Sequence, residues 1–384
     1  MKKSVGLFIA AAMVAASVSG GFASGASAKT LRYASGFPPG GPVNKGLKEF
    51  ADYVGKNSDL KVKLFELSLL DLKETPPGIR DGVADMGYVL MPYFPAEYAE
   101  ANLAADLSML ATTGEKGAAP AIAMAGALTE YAMLHCPDCQ SQFARENQVY
   151  LGSASTPDYV LLCGKPVREV EDLKGKSFRS GASNFGRWAE HFGGTKVSIP
   201  GNEIYEAMSQ GVVDCTMISA PELINLQLID VTKHITLGVP GGVFAGSGAA
   251  TMNRDSWQGL SEAQRGFMLK AAARNVATIT TYYNNAAVEA LEQSRKKGIE
   301  IIEPSQGLID ASAAFVKNDV KVTADEFVKA YGLKNVDRKI ETISGLVEKW
   351  KKIGKGLDKD REAFTETLWK EVFSKVDPAK YGLQ

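Results

Sequence analysis

The sequence predicts a two-domain α/β protein, and three observations predict it. Strand-like and helix-like segments alternate from Lys29 onward. After an apparent leader about 350 residues remain, more than one ordinary domain holds. A helical pattern also runs over residues 261–297. Unbroken, it would reach roughly 55 Å and lie across both domains as a spine; two consecutive helices would give the same pattern.

Residues 1–28 are read as a targeting segment. Lys2 and Lys3 supply the positive start, residues 5–18 a short apolar run, and Ala26-Ser27-Ala28 a cleavage site of small residues. An uncleaved membrane anchor is the alternative. The segment has no cysteine, so a lipoprotein anchor is not available. The mature chain then begins near Lys29, outside the cytoplasm, and no later stretch is apolar enough to span a bilayer.

Residues 29–34 alternate as a strand, and Gly36-Phe37-Pro38-Pro39-Gly40-Gly41-Pro42 is a loop. Residues 43–56 have helical spacing, with Leu47, Phe50, Ala51 and Val54 on one face. Residues 60–64 form a strand, 72–83 a short helix and 85–90 a buried strand. That order implies a mostly parallel sheet covered by helices. A soft helix over 117–132 follows, then strands at 149–155, 159–162, 176–179, 196–199 and 212–218, and a helix at 221–229. The tail, 311–384, is mostly helical in pattern. Trp350, Phe364, Leu368, Trp369 and Phe373 anchor it on the body or against a second copy.

Losing Lys2 and Lys3 takes the formal charge from −1 to −3. Such a nearly neutral chain argues against a nucleic-acid partner and gives no reason to adhere to anionic lipid. The even cysteine count in a secreted chain suggests disulfides. For Cys136 and Cys139 three readings compete: a tight structural disulfide, a redox-active pair, and a zinc site with His135 that lacks a fourth ligand. Cys163 and Cys215 lie in apolar strand-like contexts, and their pairing stays open.

Residues 172–219 are the most informative stretch. Arg179 follows a Leu-Lys-Gly-Lys-Ser-Phe run; a small helix comes next, then Pro200-Gly201-Asn202-Glu203, then a helix closed by Gly211-Val212-Val213-Asp214. Earlier, Pro77 to Gly87 gives a helix, a glycine, a hydrophobic residue and Asp85; later, Trp257, Leu260, Ser261 and Gln264 open the long helix. In this order and spacing the pieces resemble the solute-binding proteins of TRAP transporters (tripartite ATP-independent periplasmic), the DctP-like family. The resemblance covers roughly residues 31–304.

The resemblance implies a two-domain periplasmic binding protein fold with a cleft, crossing strands and a long helix spanning both domains. It places domain I at 29–155 with about 246–283 and domain II at 156–245 with about 284–340. Residues 341–384 are then a helical extension, packed on the body or in a dimer contact. It also implies a periplasmic location, a small organic acid as ligand, and the small and large integral-membrane subunits of the transporter as partners. No cofactor, metal or nucleic acid is implied, and monomer and homodimer stay open.

In the family the arginine at the place of Arg179 clamps a ligand carboxylate. A carboxylate leaving water must gain charge-assisted bonds, and a guanidinium offers two in parallel. Elsewhere the chain departs from the family pattern. A second arginine's place falls near Tyr159, preceded by Asp158, and an asparagine's place near Ile218, beside Ser219. Tyr88 and Leu90 follow Asp85, Tyr93 lies just beyond, and the first loop brings Phe37. A cleft of Arg179, Tyr159, Phe37, Tyr88, Leu90, Asp158, Ile218 and Ser219 is less charged and more aromatic than one built for a dicarboxylate. It fits a monocarboxylate with an aromatic or apolar body. A sugar acid or dicarboxylate competes, as does a small amine held by aromatic faces and Asp158. Each aromatic could equally be core.

Neither H-E-x-x-H nor G-x-S-x-G occurs, and His135, His191 and His234 are widely spread. The reading is therefore a binding protein, not an enzyme. A periplasmic redox protein or enzyme using Cys136 and Cys139 is the alternative.

Overall fold

The computed structural model describes residues 29–114 and 117–384; the leader read at residues 1–28 lies outside them. Its strands are β1 (Lys29–Ser35), β2 (Leu60–Glu66), β3 (Met86–Leu90), β4 (Gln148–Val149), β5 (Ser153–Ala154), β6 (Tyr159–Cys163), β7 (Ser177–Ser180), β8 (Thr195–Ser198), β9 (Cys215–Ser219), β10 (His234–Thr236), β11 (Ser247–Asn253) and β12 (Glu300–Ile302). They form two sheets. The first has the order β2-β1-β3-β11-β4, with β5 also on β11; the second has the order β12-β10-β6-β9-β7-β8.

Each sheet is mixed, where the sequence suggested mostly parallel ones. In the first, β1 pairs in parallel with β2 and β3, but β11 runs antiparallel to β3. In the second, β7 is parallel to β8 and β9, whereas β6 is antiparallel to both β9 and β10. The connections explain this. The chain leaves the first sheet after β5 and returns to it after β10. β6 and β11 are thus laid down from the seam between the sheets and run away from it, while the βα units send β1, β3, β7 and β9 toward it. The carboxyl ends of those strands and the first residues of β6 and β11 therefore meet at one place.

The spine is a single helix, Glu262–Lys296, of 35 residues and about 50 Å. Ser261 and Gln264 form its capping box, satisfying two otherwise orphaned backbone donors. The first helix, Pro42–Asn57, lies so close to it that a Cβ on Gly46 would meet Ile279 Cγ1 at 2.6 Å. Other helices are shorter than their sequence pattern. The one expected at 72–83 spans only Thr75–Arg80, closed by Gly82 at φ +75°. The one expected at 221–229 splits into Glu222–Asn225 and a 3₁₀ turn, Leu228–Asp230, because Gln227 turns left-handed at φ +57°. β9 begins at Cys215 rather than near Val212, which is 53% exposed.

Both cysteine pairs are joined. Cys136–Cys139 closes the start of the helix Pro137–Arg145, and Cys163–Cys215 links directly opposed positions of β6 and β9. Among the described residues no helix is long and apolar enough to cross a membrane.

The tail packs on the body through the helices Gln306–Tyr331, Val336–Ile353 and Arg361–Glu371. Phe364, Leu368 and Phe373 are buried, and Trp369 is half-buried. Trp350 is fully buried; its Nε1 donates to Glu130 Oε2 at 2.7 Å, and Gly126 makes room for its ring, since a Cβ there would sit 2.1 Å from it. Arg361 binds Glu49 at 2.9 Å and Arg274 binds Glu362 at 2.6 Å, tying the last helix to the first helix and the spine. Arg187, on the helix Ser183–His191, binds Asp106 at 3.0 Å, Asp319 at 2.7 Å and Glu326 at 2.7 Å, joining three helices in one nearly buried network.

Trp350→Ala opens a cavity and removes the indole donor from Glu130, leaving that carboxylate to Lys349. We expect it to cost about 3–5 kcal/mol, read as a lower urea midpoint at unchanged ligand affinity.

Candidate functional site

Arg179 is the third residue of β7, one position from its carboxyl end at the seam. Gly181 in the following turn lets the guanidinium fold close to the backbone: a Cβ there would lie 3.0 Å from Nη2. The side chain is 1% exposed. Its Nε donates to Ile199 O at 2.8 Å and its Nη2 to the Tyr93 hydroxyl at 3.0 Å. The Tyr93 hydroxyl also accepts from Gly201 N at 2.9 Å. Tyr93 ends the 3₁₀ turn Met91–Tyr93 that follows β3, so this bond crosses from one sheet's side of the seam to the other's. Tyr159, the first residue of β6, also lies within hydrogen-bonding reach of Arg179. Among the described residues no carboxylate oxygen lies within 4.0 Å of the guanidinium. A buried guanidinium bonded only to neutral oxygens remains electrostatically unpaired, at a cost of several kcal/mol.

Around Arg179 lies a narrow cleft with about 450 Å³ of empty space, its mouth included. Phe37, Tyr88, Leu90, Tyr159, Ile218 and Ser219 line it together with Arg179, so the structure brings together seven of the eight residues singled out in the sequence. Phe37 is placed by its loop: Asn44 Nδ2 donates to Phe37 O at 3.0 Å and to Pro38 O at 2.8 Å, and the ring meets Tyr88 edge-on at 5.6 Å. Tyr159 stacks on Phe185 at 4.3 Å. Ser219 is fully buried, and its Oγ has no partner among the described residues.

The eighth residue is Asp158. It is exposed and does not line the cleft. It directly precedes β6, and neighbours along an extended chain face opposite ways. With Tyr159 turned inward, Asp158 lies off the cleft wall, where desolvation of its carboxyl by the protein around it raises it to about 6.

The acid of the cleft is Glu222, which the sequence reading missed. It is 4% exposed, at the start of the short helix after β9. Burial pushes its carboxyl up to about 7, against the hydrogen bonds from Asn225 and Tyr283 and the charge of Arg179. Tyr283 from the spine, Phe244, and Ser247 at the start of β11 complete the wall. Burial holds the Tyr88, Tyr159 and Tyr283 hydroxyls well above the ordinary tyrosine range, so they act as neutral hydrogen-bonding groups. Only the Pro221-Glu222 turn after the buried β9 could have flagged the acid; Tyr283 reads as one more core aromatic of a long helix.

A wider groove, about 1390 Å³ with its mouth, runs between the Cys136 helix and the chain's last residues. Its arginine, Arg254, is occupied by the backbone oxygens of Gly382 and Gln384. Cys136 and Cys139 are 3% and 0% exposed, which suits a structural staple better than thiol exchange. Among the described residues no cluster of His, Cys, Asp and Glu is suited to a metal ion.

Two mixed sheets, a helix crossing both and a narrow cleft at their seam make up the architecture. The chain matches the model of the bacterial extracellular solute-binding proteins, family 7 (DctP), over residues 33–326, and it belongs to that family. A solute-binding protein of Albidiferax ferrireducens is 29% identical over 146 residues; the match spans 38% of this chain and 43% of the relative's length. Among solved structures, a TRAP periplasmic solute-binding protein from Bordetella bronchiseptica with bound (R)- and (S)-mandelate superposes with a TM-score of 0.68 at 20% identity, covering 83% of this chain and 99% of that one. DctP6 of Bordetella pertussis, which binds pyroglutamic acid, gives 0.69 at 19% identity, covering 84% and 100%. A marine metagenome TRAP protein specific for aromatic acid ligands, in complex with metahydroxyphenylacetate, gives 0.70 at 20%, covering 84% and 99%. At these identities the likeness is one of fold.

Tyr93→Phe removes the hydroxyl that joins Arg179 to Gly201. We expect an affinity loss of about 1–2 kcal/mol for an acid bound at Arg179, measured by titration calorimetry, with little change in melting temperature.

Proposed function

We propose that this protein is the periplasmic solute-binding component of a TRAP transporter. It captures a small organic acid at the seam between two lobes built on the two sheets, and hands it to the membrane subunits. The observation that carries this reading is Arg179: buried, bonded to neutral oxygens only, and facing an otherwise largely aromatic cleft. The missing counter-charge is the ligand's carboxylate. Closing the lobes around it exchanges hydration for bonds already aimed, and the ligand's preference for the closed state drives closure.

The lining favours one carboxylate over two. Arg179 is the only cation among the described residues that line the cleft, so a dicarboxylate or sugar diacid would leave its second charge unpaired there. The rings of Phe37, Tyr88, Tyr159 and Phe244 suit an aromatic or apolar body. We place the lobe boundaries where the chain crosses the seam, between Ala154 and Tyr159 and between Thr236 and Ser247. Export through the leader and release into the periplasm complete the reading; the protein works as a carrier and needs no cofactor.

Arg179→Gln keeps a planar, hydrogen-bonding side chain and loses the charge. We expect it to weaken acid binding by on the order of 2–5 kcal/mol while the fold persists, read by thermal shift against a panel of carboxylic acids. Unchanged shifts in the variant would remove the clamp.

A further inference from the structure

We propose that the ligand is a zwitterion: an amino acid whose carboxylate sits on Arg179 and whose ammonium sits on Glu222. This rests on the solute-binding reading above and narrows it. Tyrosines aside, two ionisable side chains line the cleft, Arg179 and Glu222, and they are 1% and 4% exposed. They do not neutralise each other, since no carboxylate oxygen comes within 4.0 Å of the guanidinium. Arg179 is therefore a buried charge held in reserve, and Glu222 a buried acid that burial pushes up to about 7.

Counting charge decides between ligand classes. A simple carboxylate neutralises Arg179 but brings a second negative group close to Glu222. A simple amine neutralises Glu222 and leaves Arg179 stranded. A zwitterion pairs both groups in their ionised forms, whereas a simple carboxylate leaves the cleft neutral only with Glu222 protonated.

The surroundings of Glu222 agree. Asn225 Nδ2 donates to its Oε2 at 3.3 Å, and the Tyr283 hydroxyl lies beside it. Donors so placed suit a carboxylate. The groups that face it are Tyr88 on β3, Tyr159 on β6, Arg179 on β7 and Tyr283 on the spine, and of these Arg179 alone is cationic. An incoming ammonium would be the first cation in pairing contact with it, and the aromatic faces of Phe37, Tyr88 and Phe244 in the same wall attract such a group. The amine considered for Asp158 in the sequence thus finds its acid in Glu222.

Because burial holds the Glu222 carboxyl up at about 7, part of the population is protonated at neutral pH. An ammonium beside it expels that proton, so binding an amino acid at pH 7 releases protons. Binding a plain carboxylate does not.

The test is calorimetry on the mature chain at pH 7, in two buffers of different ionisation enthalpy. The probes are L- and D-2-amino acids and 3- and 4-amino acids, each beside its hydroxy and deaminated counterparts. We expect at least one amino acid to bind roughly tenfold or more tightly than either counterpart, with net proton release. In Glu222→Gln, folded by circular dichroism, that preference should fall to near unity and the release should vanish; Glu222→Asp, with the charge kept, should retain the preference. Failure of every amino acid to bind, a deaminated acid binding as tightly as its amino acid, or a preference that survives Glu222→Gln overturns the proposal. Where only amine-free acids bind, and Arg179→Gln abolishes them, the carrier reading stands and the zwitterion falls. Where nothing binds, both fall.

Discussion

A guanidinium withdrawn from water without a carboxylate to meet it is the constraint on which this molecule depends. Left in bulk solvent Arg179 would cost nothing; at the seam it is a standing debt in free energy that only an anion discharges. Everything near it keeps it oriented yet uncompensated. Gly181 leaves room for it, Ile199 and Tyr93 hold it with neutral oxygens, and the nearest buried acid stands out of contact. Had Glu222 closed on it, the cleft would be a neutral core with nothing to bind.

The mixed sheets follow from the same requirement. A site that both lobes share needs strand ends from each, and a chain that builds two sheets must cross the seam to do so. β6 and β11 are those crossings, and because they start at the seam their first residues, Tyr159 and Ser247, join the ends of β3, β7 and β9 there. The antiparallel pairing is therefore the geometric signature of a shared site. The Cys163–Cys215 bridge fastens one crossing strand to β9, beyond which Glu222 stands.

Much of this was legible in the amino-acid order, and the rest was hidden for physical reasons. Arg179 stood out because its flanking run is specific. Phe37, Leu90 and Ser219 could be placed because each ends or follows a strand whose carboxyl end marks a ligand crevice. Glu222 and Tyr283 were hidden because their roles come from contacts between segments 61 positions apart, and neither local pattern differs from ordinary packing. Asp158 misled because adjacency in sequence to Tyr159 means opposition in space once the backbone is extended. The direction of β6 could not be read either, since alternation in a strand is the same forward and backward.

The tail changes how the two halves of the molecule weigh against each other. Its last helix is bolted to the first helix and to the middle of the spine through Arg361–Glu49 and Arg274–Glu362, while Trp350 locks the helix before it onto the same side. Just past the far end of the spine, Lys297 binds Asp230 in the turn that leads into β10 of the second sheet. One half is thereby made a heavy, braced frame and the other a door hung on it. Any opening of the cleft then loads the bonds of Arg187 to Asp106 and Glu326, the latch that joins the helix Ser183–His191 beside the second sheet to the first half and to the tail.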